Sequence, residues 1–152
     1  MITQQESLEL FEYKNGNLIR KKNNKVMKSP THFGHLRARI KGKNYLVHRL
    51  VFLMHHGYLP KQIDHIDGNP ANNKIDNLRE ASQSQNMWNR NANTNSMSKI
   101  KGIKLHQSGK YQVRVQVNKK SMYLGLYVDL ELAELVAIEA RNKFHGVYAN
   151  HG

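Results

Sequence analysis

The sequence predicts an α+β chain in two parts. Small N-terminal β-hairpins and a helix lead into a compact strand–strand–helix unit; after a linker comes a three-stranded antiparallel sheet packed on one helix. Three observations predict it. Short strand-like runs broken by Asn-Gly and Lys-Gly-Lys turns fill the first third. An Asn/Ser-rich stretch, NANTNSMSK at 91–99, divides the chain. Alternating strands followed by one apolar helical stripe close it.

The N-terminal part reads as strands. Asn15-Gly16 in FEYKNGNLIRKK is a hairpin turn between two short runs. His35 to Ile40 alternates, Lys41-Gly42-Lys43 turns, and Asn44 to Leu46 returns. A helix then follows, because Val47, Leu50, Val51 and Met54 recur at spacings of three and four. Gly57 and Pro60 end it. Residues 61–81 are rich in Asp, Asn and Gly and read as a loop on composition alone. Ser82-Gln83-Ser84-Gln85 is a capping box that starts a second helix at Ser82. The expected organisation is thus 1–90, a linker at 91–99, and 100–152.

The last third is the most regular. Strands are expected at Lys101–Leu105, Lys110–Val117 and Met122–Tyr127. In the middle strand Tyr111, Val113, Val115 and Val117 share one face, and Gln112, Arg114 and Gln116 the other. A helix over Asp129 to Phe144 carries Ala133, Val136, Ala137, Ala140 and Phe144 as a stripe toward the sheet.

Charge narrows the partners. The net charge is +13, with 24 Lys and Arg against 11 Asp and Glu. The excess lies in residues 1–60 and 96–152, flanking a neutral middle. Such an excess either solvates the surface or meets a polyanion. No apolar run of about 18 residues exists, so no membrane span is expected. The N-terminus lacks the layout of a secretory leader. With no cysteine, disulfides and thiolate zinc sites are excluded and a cytoplasmic setting is expected.

Chemistry concentrates in IDHIDGNPANNKIDNLREASQSQN. Asp64 and His65 are adjacent; Asn77 follows His65 by 12 residues and Asn86 by 21. A hairpin and a helix would bring these groups together. Phosphodiester hydrolysis needs such groups: an imidazole to take a proton from water near neutral pH, and a hard cation to neutralise phosphate oxygens. Aspartate and asparagine oxygens favour Mg²⁺ or Mn²⁺ over Zn²⁺. A second Asn can hold the His ring in one tautomer. On spacing alone the same residues also read as turn formers, and Asp67, Asn69, Asn72 and Asn73 are kept as turn residues.

The stretch from Tyr45 to Asn86 resembles the HNH endonucleases of phage and intron origin. The resemblance rests on His48-Arg49-Leu50, Asp64-His65-Ile66-Asp67-Gly68, Asn73-Lys74-Ile75-Asp76-Asn77-Leu78-Arg79, and the downstream Asn86. It implies a ββα-metal unit in which Asp64 and Asn86 hold Mg²⁺ (or Mn²⁺), His65 is the general base and Asn77 positions it. The third named position is Asn rather than His, as in phage-type nicking homing enzymes. The implied partner is double-stranded DNA, and the implied setting is the bacterial host cytoplasm if the gene is phage-borne. One site per chain predicts a monomer that nicks one strand. Among the other histidines, His48 is read as helix support beside Arg49, which can touch phosphate. His32, His35 and His151 carry no spacing argument.

Residues 100–148 resemble the ethylene-response-factor (APETALA-two) type DNA-binding domain. The resembling stretches are Lys101-Gly102-Ile103-Lys104, Gly109 to Val115, Tyr123 to Tyr127, and the helix ending in Phe144-His145-Gly146. That family's sheet enters the major groove. The resemblance implies a DNA-facing set of Lys101, Lys104, His106, Ser108, Arg114, Gln116, Ser121 and Tyr123. Ser108 and Ser121 replace larger residues of the plant domains, so sequence preference does not carry over. Two other readings compete: a catalytically inert DNA-binding regulator, and an RNA-binding protein. Retention of all four named positions argues against the first. A C-terminal sheet with few aromatics beyond Tyr123 argues against the second.

Overall fold

A computed structural model describes residues 2–89, 98 and 100–150. Among these residues the chain forms small antiparallel sheets and four α-helices, and its contacts divide it into Met1–Ala81 and Ser82–Gly152. The expected linker lies almost wholly outside the described residues.

The first unit opens with α1 (Gln4–Leu10), where strands were expected. Thr3 caps it: its hydroxyl accepts from the Glu6 amide and the Glu6 carboxylate takes the Thr3 amide. This box outweighs the weak apolar pattern of the segment. Strands β1 (Phe11–Lys14) and β2 (Asn17–Arg20) pair around Asn15-Gly16 as predicted, and β3 (Lys25–Val26) joins β2. A second sheet places β5 (Leu36–Ile40) between β4 (Ser29–Pro30) and β6 (Lys43–Leu46).

Helix α2 (Val47–His56) follows directly from β6. Val47, Leu50, Val51, Phe52, Leu53 and Met54 are all buried, so the helix is the centre of the core rather than a surface element. Phe11, Leu18, Ala38, Ile40 and Ile63 pack in the same cluster. Gly57 caps the helix in the left-handed conformation, and its amide bonds the Leu53 carbonyl. The unit ends in a two-stranded hairpin, β7 (Ile63–His65) and β8 (Leu78–Glu80).

The second unit begins with α3 (Gln83–Trp88), capped as predicted by Ser82 and Gln85. Its sheet sets β10 (Tyr111–Val117) between β9 (Ile103–Leu105) and β11 (Lys120–Tyr127), all antiparallel. Helix α4 (Leu130–His145) packs on one face through Ala133 and Ala137 against Ile103 and Val113. A register shift between Val113 and Arg114 leaves Leu124 of β11 as the extra residue of a bulge.

Candidate active site

Hairpin β7–β8 sets Asp64 opposite Arg79 and His65 opposite Leu78. The twelve residues joining the strands are not an open loop, because their polar side chains bond back onto the chain. Asp67 accepts from the Asn69 amide at 2.8 Å and from Asn72 Nδ2 at 2.6 Å. Asn77 Oδ1 accepts from the Asp67 amide at 3.0 Å, while its Nδ2 donates to Asp67 Oδ1 and the Asn72 carbonyl, both at 2.9 Å. The Asn77 carbonyl takes the Ile66 amide, beside His65. The turn formers thus build a hydrogen-bonded cage that holds the end of β7 in place. Burial pushes the Asp67 carboxyl up, but bonds from Asn72, Asn69 and Asn77 outweigh it and hold the group below its ordinary value.

Three consecutive residues of β7, Ile63, Asp64 and His65, are all buried. Asp64 is 3% exposed and pairs with Arg79, which donates from Nε and Nη2 to Oδ2, both at 2.8 Å. The ion pair offsets part of the cost of taking so deep a carboxylate out of water. His65 is 6% exposed, and its Nε2 lies 3.3 Å from Asn73 Oδ1. With an oxygen acceptor there, Nε2 carries the proton and Nδ1 the lone pair. Asn73 itself is fully buried and is pinned by a 3.1 Å bond to the Ala71 carbonyl.

The resemblance implies Asn77 at the imidazole, with Asn73 as a turn residue. In the structure Asn73 makes the ring contact, and the side chain of Asn77 bonds Asp67 and Asn72. Asn77 therefore acts on His65 through the backbone. Nothing in the spacing separates Asn73 from its neighbours; only burial distinguishes it.

Two further imidazoles meet His65. The His48 ring, from the first turn of α2, lies 5.0 Å from it between centroids, and the His35 ring, just before β5, lies 5.5 Å away. His35 and His48 are 4.9 Å apart. Burial holds the His65 pKa below the ordinary imidazole value, opposed by Asn73, Asp67 and Asp64. His48 is pushed down to about 3, first by burial and then by His65, His35 and Arg49. Burial and then His65 lower His35. All three rings are neutral at pH 7. In the sequence His48 reads as helix support and His35 carries no spacing argument; the signal that unites them is tertiary.

Asn86 is half-buried on α3, its amide bonded to the Ser82 carbonyl, in the second unit of the chain. Arg49 donates to the Pro60 carbonyl at 3.3 Å. Lys104, Arg114, Gln116, Ser121 and Tyr123 are exposed. Register pairs Arg114 with Tyr123 and Gln116 with Ser121, on the face of the sheet away from α4, and the Arg114 guanidinium sits 5.9 Å from the Tyr123 ring centre. His106 and Ser108 bond each other at 2.8 Å. Lys101 turns inward instead: it is half-buried, its ammonium donates to the Trp88 carbonyl, and burial and then Arg141 push its pKa down to about 8. The donor atoms at Asp64 and Asn86, a carboxylate oxygen and an amide oxygen, are of the hard kind that suits Mg²⁺ or Mn²⁺.

Residues 45–88 match the HNH endonuclease family. Within a 49-residue stretch the chain is 47% identical to Protein 3.8 of Escherichia phage T7, over 31% of this chain and 40% of that protein. This chain thus spans well under half of that relative. No solved structure matches the chain. No helix among the described residues is long and apolar enough to cross a membrane.

Proposed function

We propose that the chain is a metal-dependent endonuclease that hydrolyses phosphodiester bonds in double-stranded DNA and nicks one strand. One observation carries the reading: inside the segment that matches the HNH endonuclease family, His65 is buried, neutral and fixed at the end of a caged hairpin, beside the carboxylate of Asp64. A neutral imidazole is the form that can accept a proton from an attacking water.

The residues divide the work by their chemistry. His65 takes the proton from water at its lone-pair nitrogen. Asn73 holds the opposite nitrogen, and Asn77 holds the strand end through Asp67 and Ile66. Asp64 and Asn86 would hold the divalent ion, with Arg79 fixing the Asp64 carboxylate. When bound, the ion supplies charge neutralisation at the phosphate and leaving oxygen. The C-terminal sheet serves as an ethylene-response-factor-like reader of the major groove. Its support is an exposed face of Lys104, Arg114, Gln116, Ser121 and Tyr123 opposite the packed helix. Arginine and glutamine there match guanine and adenine edges.

The test is supercoiled plasmid incubated with the full chain and Mg²⁺. Open-circular product is expected, abolished by EDTA and restored by Mg²⁺ or Mn²⁺. Intact plasmid under all metals rejects the enzyme reading, and full cleavage in EDTA rejects the metal.

A further inference from the structure

Three imidazoles from three separate elements converge inside the first unit. His35 precedes β5, His48 opens α2 and His65 ends β7. One ligand nitrogen from each lies within 4.8 Å of the other two. Zinc bound to imidazoles at about 2.0–2.1 Å sets tetrahedral donor atoms roughly 3.4 Å apart. Small side-chain rotations close the difference.

Two of these rings each hold a buried Nδ1 atom, His35 Nδ1 and His48 Nδ1, that has no hydrogen-bond partner among the described residues. Buried polar atoms are normally paired, so two in one cluster call for an explanation. The Pro70 backbone acts on the His35 ring against the burial that lowers its pKa. At His65 the other ring nitrogen has the kind of support that metal-bound histidines use. His65 Nε2 faces Asn73 Oδ1. A carbonyl on one nitrogen fixes the tautomer that presents a lone pair on the other. Three nitrogens and no carboxylate in the cluster suit Zn²⁺ or Co²⁺ and do not suit Mg²⁺.

We propose that His35, His48 and His65 form a binding site for a borderline transition metal, Zn²⁺ first, distinct from the oxygen-donor site of Asp64 and Asn86. Its consequence rests on the nuclease reading above. A zinc ion that takes the His65 lone pair removes the base, so zinc silences the Mg²⁺-dependent reaction. The two metals would compete not for a pocket but for the state of one imidazole.

The experiment uses the metal-stripped full chain. Zn²⁺ is titrated against a chromophoric chelator, and Co²⁺ substitution is followed by visible absorption. One ion per chain is expected, with a tetrahedral cobalt spectrum. His35→Ala and His48→Ala should each weaken binding by at least about 10–100-fold, the range seen on removing even a supporting residue. Circular dichroism melts check both folds; should His48→Ala unfold, the half-exposed His35 decides. In a second arm Zn²⁺ is added to plasmid cleavage in Mg²⁺, each protein scored against its own zinc-free rate. The zinc needed to halve cleavage should rise in His35→Ala by the same factor as its binding weakens. Absence of zinc binding overturns the site, as does equal binding by both variants, which would place the ion on others of the nine histidines. Undiminished cleavage by zinc-loaded wild type overturns the silencing. A chain that binds zinc through the triad yet never cuts DNA in Mg²⁺ overturns the nuclease reading and leaves the site standing.

Discussion

His65 shows how far a single residue can be read before folding is known. Adjacency to Asp64 reads equally as a turn, and it is the resemblance to the HNH endonucleases that singles this histidine out in the sequence. Its neighbours are invisible there, because Asn73 approaches across a loop, and His35 and His48 from other elements. A residue's type and spacing are local; what it touches is not. His65→Ala should slow cleavage by about 10²–10⁴-fold, the usual contribution of a general base. DNA affinity should hold, since one neutral ring adds little to a surface of net charge +13. Single-turnover cleavage with parallel binding titrations reads both; a wild-type rate removes His65 from the mechanism. Asn73→Ala should slow cleavage less and move its acid limb. The Asn73 bond raises the His65 pKa against the burial that lowers it. Without that bond the pKa falls further, so the variant's activity should persist to lower pH than wild type. An unmoved limb would make Asn73 a packing residue only.

Elements were legible where a turn or a period marks them. Asn15-Gly16 and Lys41-Gly42 set two hairpins in register, and the three-and-four spacing of Val47 to Met54 gave α2. The alternation of Tyr111 to Val117 gave β10 and both its faces. Helix α1 was missed because seven residues carry too short an apolar period, although Thr3 and Glu6 had the capping pattern. The C-terminal sheet contains a constraint that no period reveals. Gly102 precedes β9 at φ +81, and a Cβ there would stand 2.6 Å from the Arg114 carbonyl oxygen. That oxygen is backbone in the central strand and cannot swing away. Gly102→Ala should therefore destabilise the second unit by about 1–3 kcal/mol, the usual scale of imposed backbone strain. A denaturant titration read by fluorescence of Trp88, which stacks on His145 at 4.5 Å, measures it. An unchanged midpoint would mean that β9 pairs more loosely than its register indicates.

At the scale of the whole molecule, charge was the clearest bulk signal, and its two basic flanks belong to different units. Which basic residues face a ligand was not legible. Lys101 and Arg114 read alike in the sequence, yet Lys101 donates to the Trp88 carbonyl while Arg114 stands on the open face of β10. This difference turns the division of labour into a measurement on the intact chain. Removing a side chain that neutralises a phosphate should lower the salt dependence of binding by about one unit of slope, whatever the DNA sequence. Removing one that reads a base should relax preference at one position, at a cost of about 1–3 kcal/mol, with little change in slope. Lys104 is exposed on short β9 beside Gln112, and Arg114 lies in the centre of the sheet opposite Tyr123. Lys104→Ala should therefore behave as the phosphate case and Arg114→Ala as the base case. Lys101→Ala, with its ammonium already held by a carbonyl, should change neither slope nor preference. Binding titrations across a salt series, on a preferred and a scrambled duplex, separate the three. If all three variants keep wild-type affinity, slope and cleavage pattern, the C-terminal sheet is not the DNA reader, and the basic hairpins around Arg20 to Lys43 take its place.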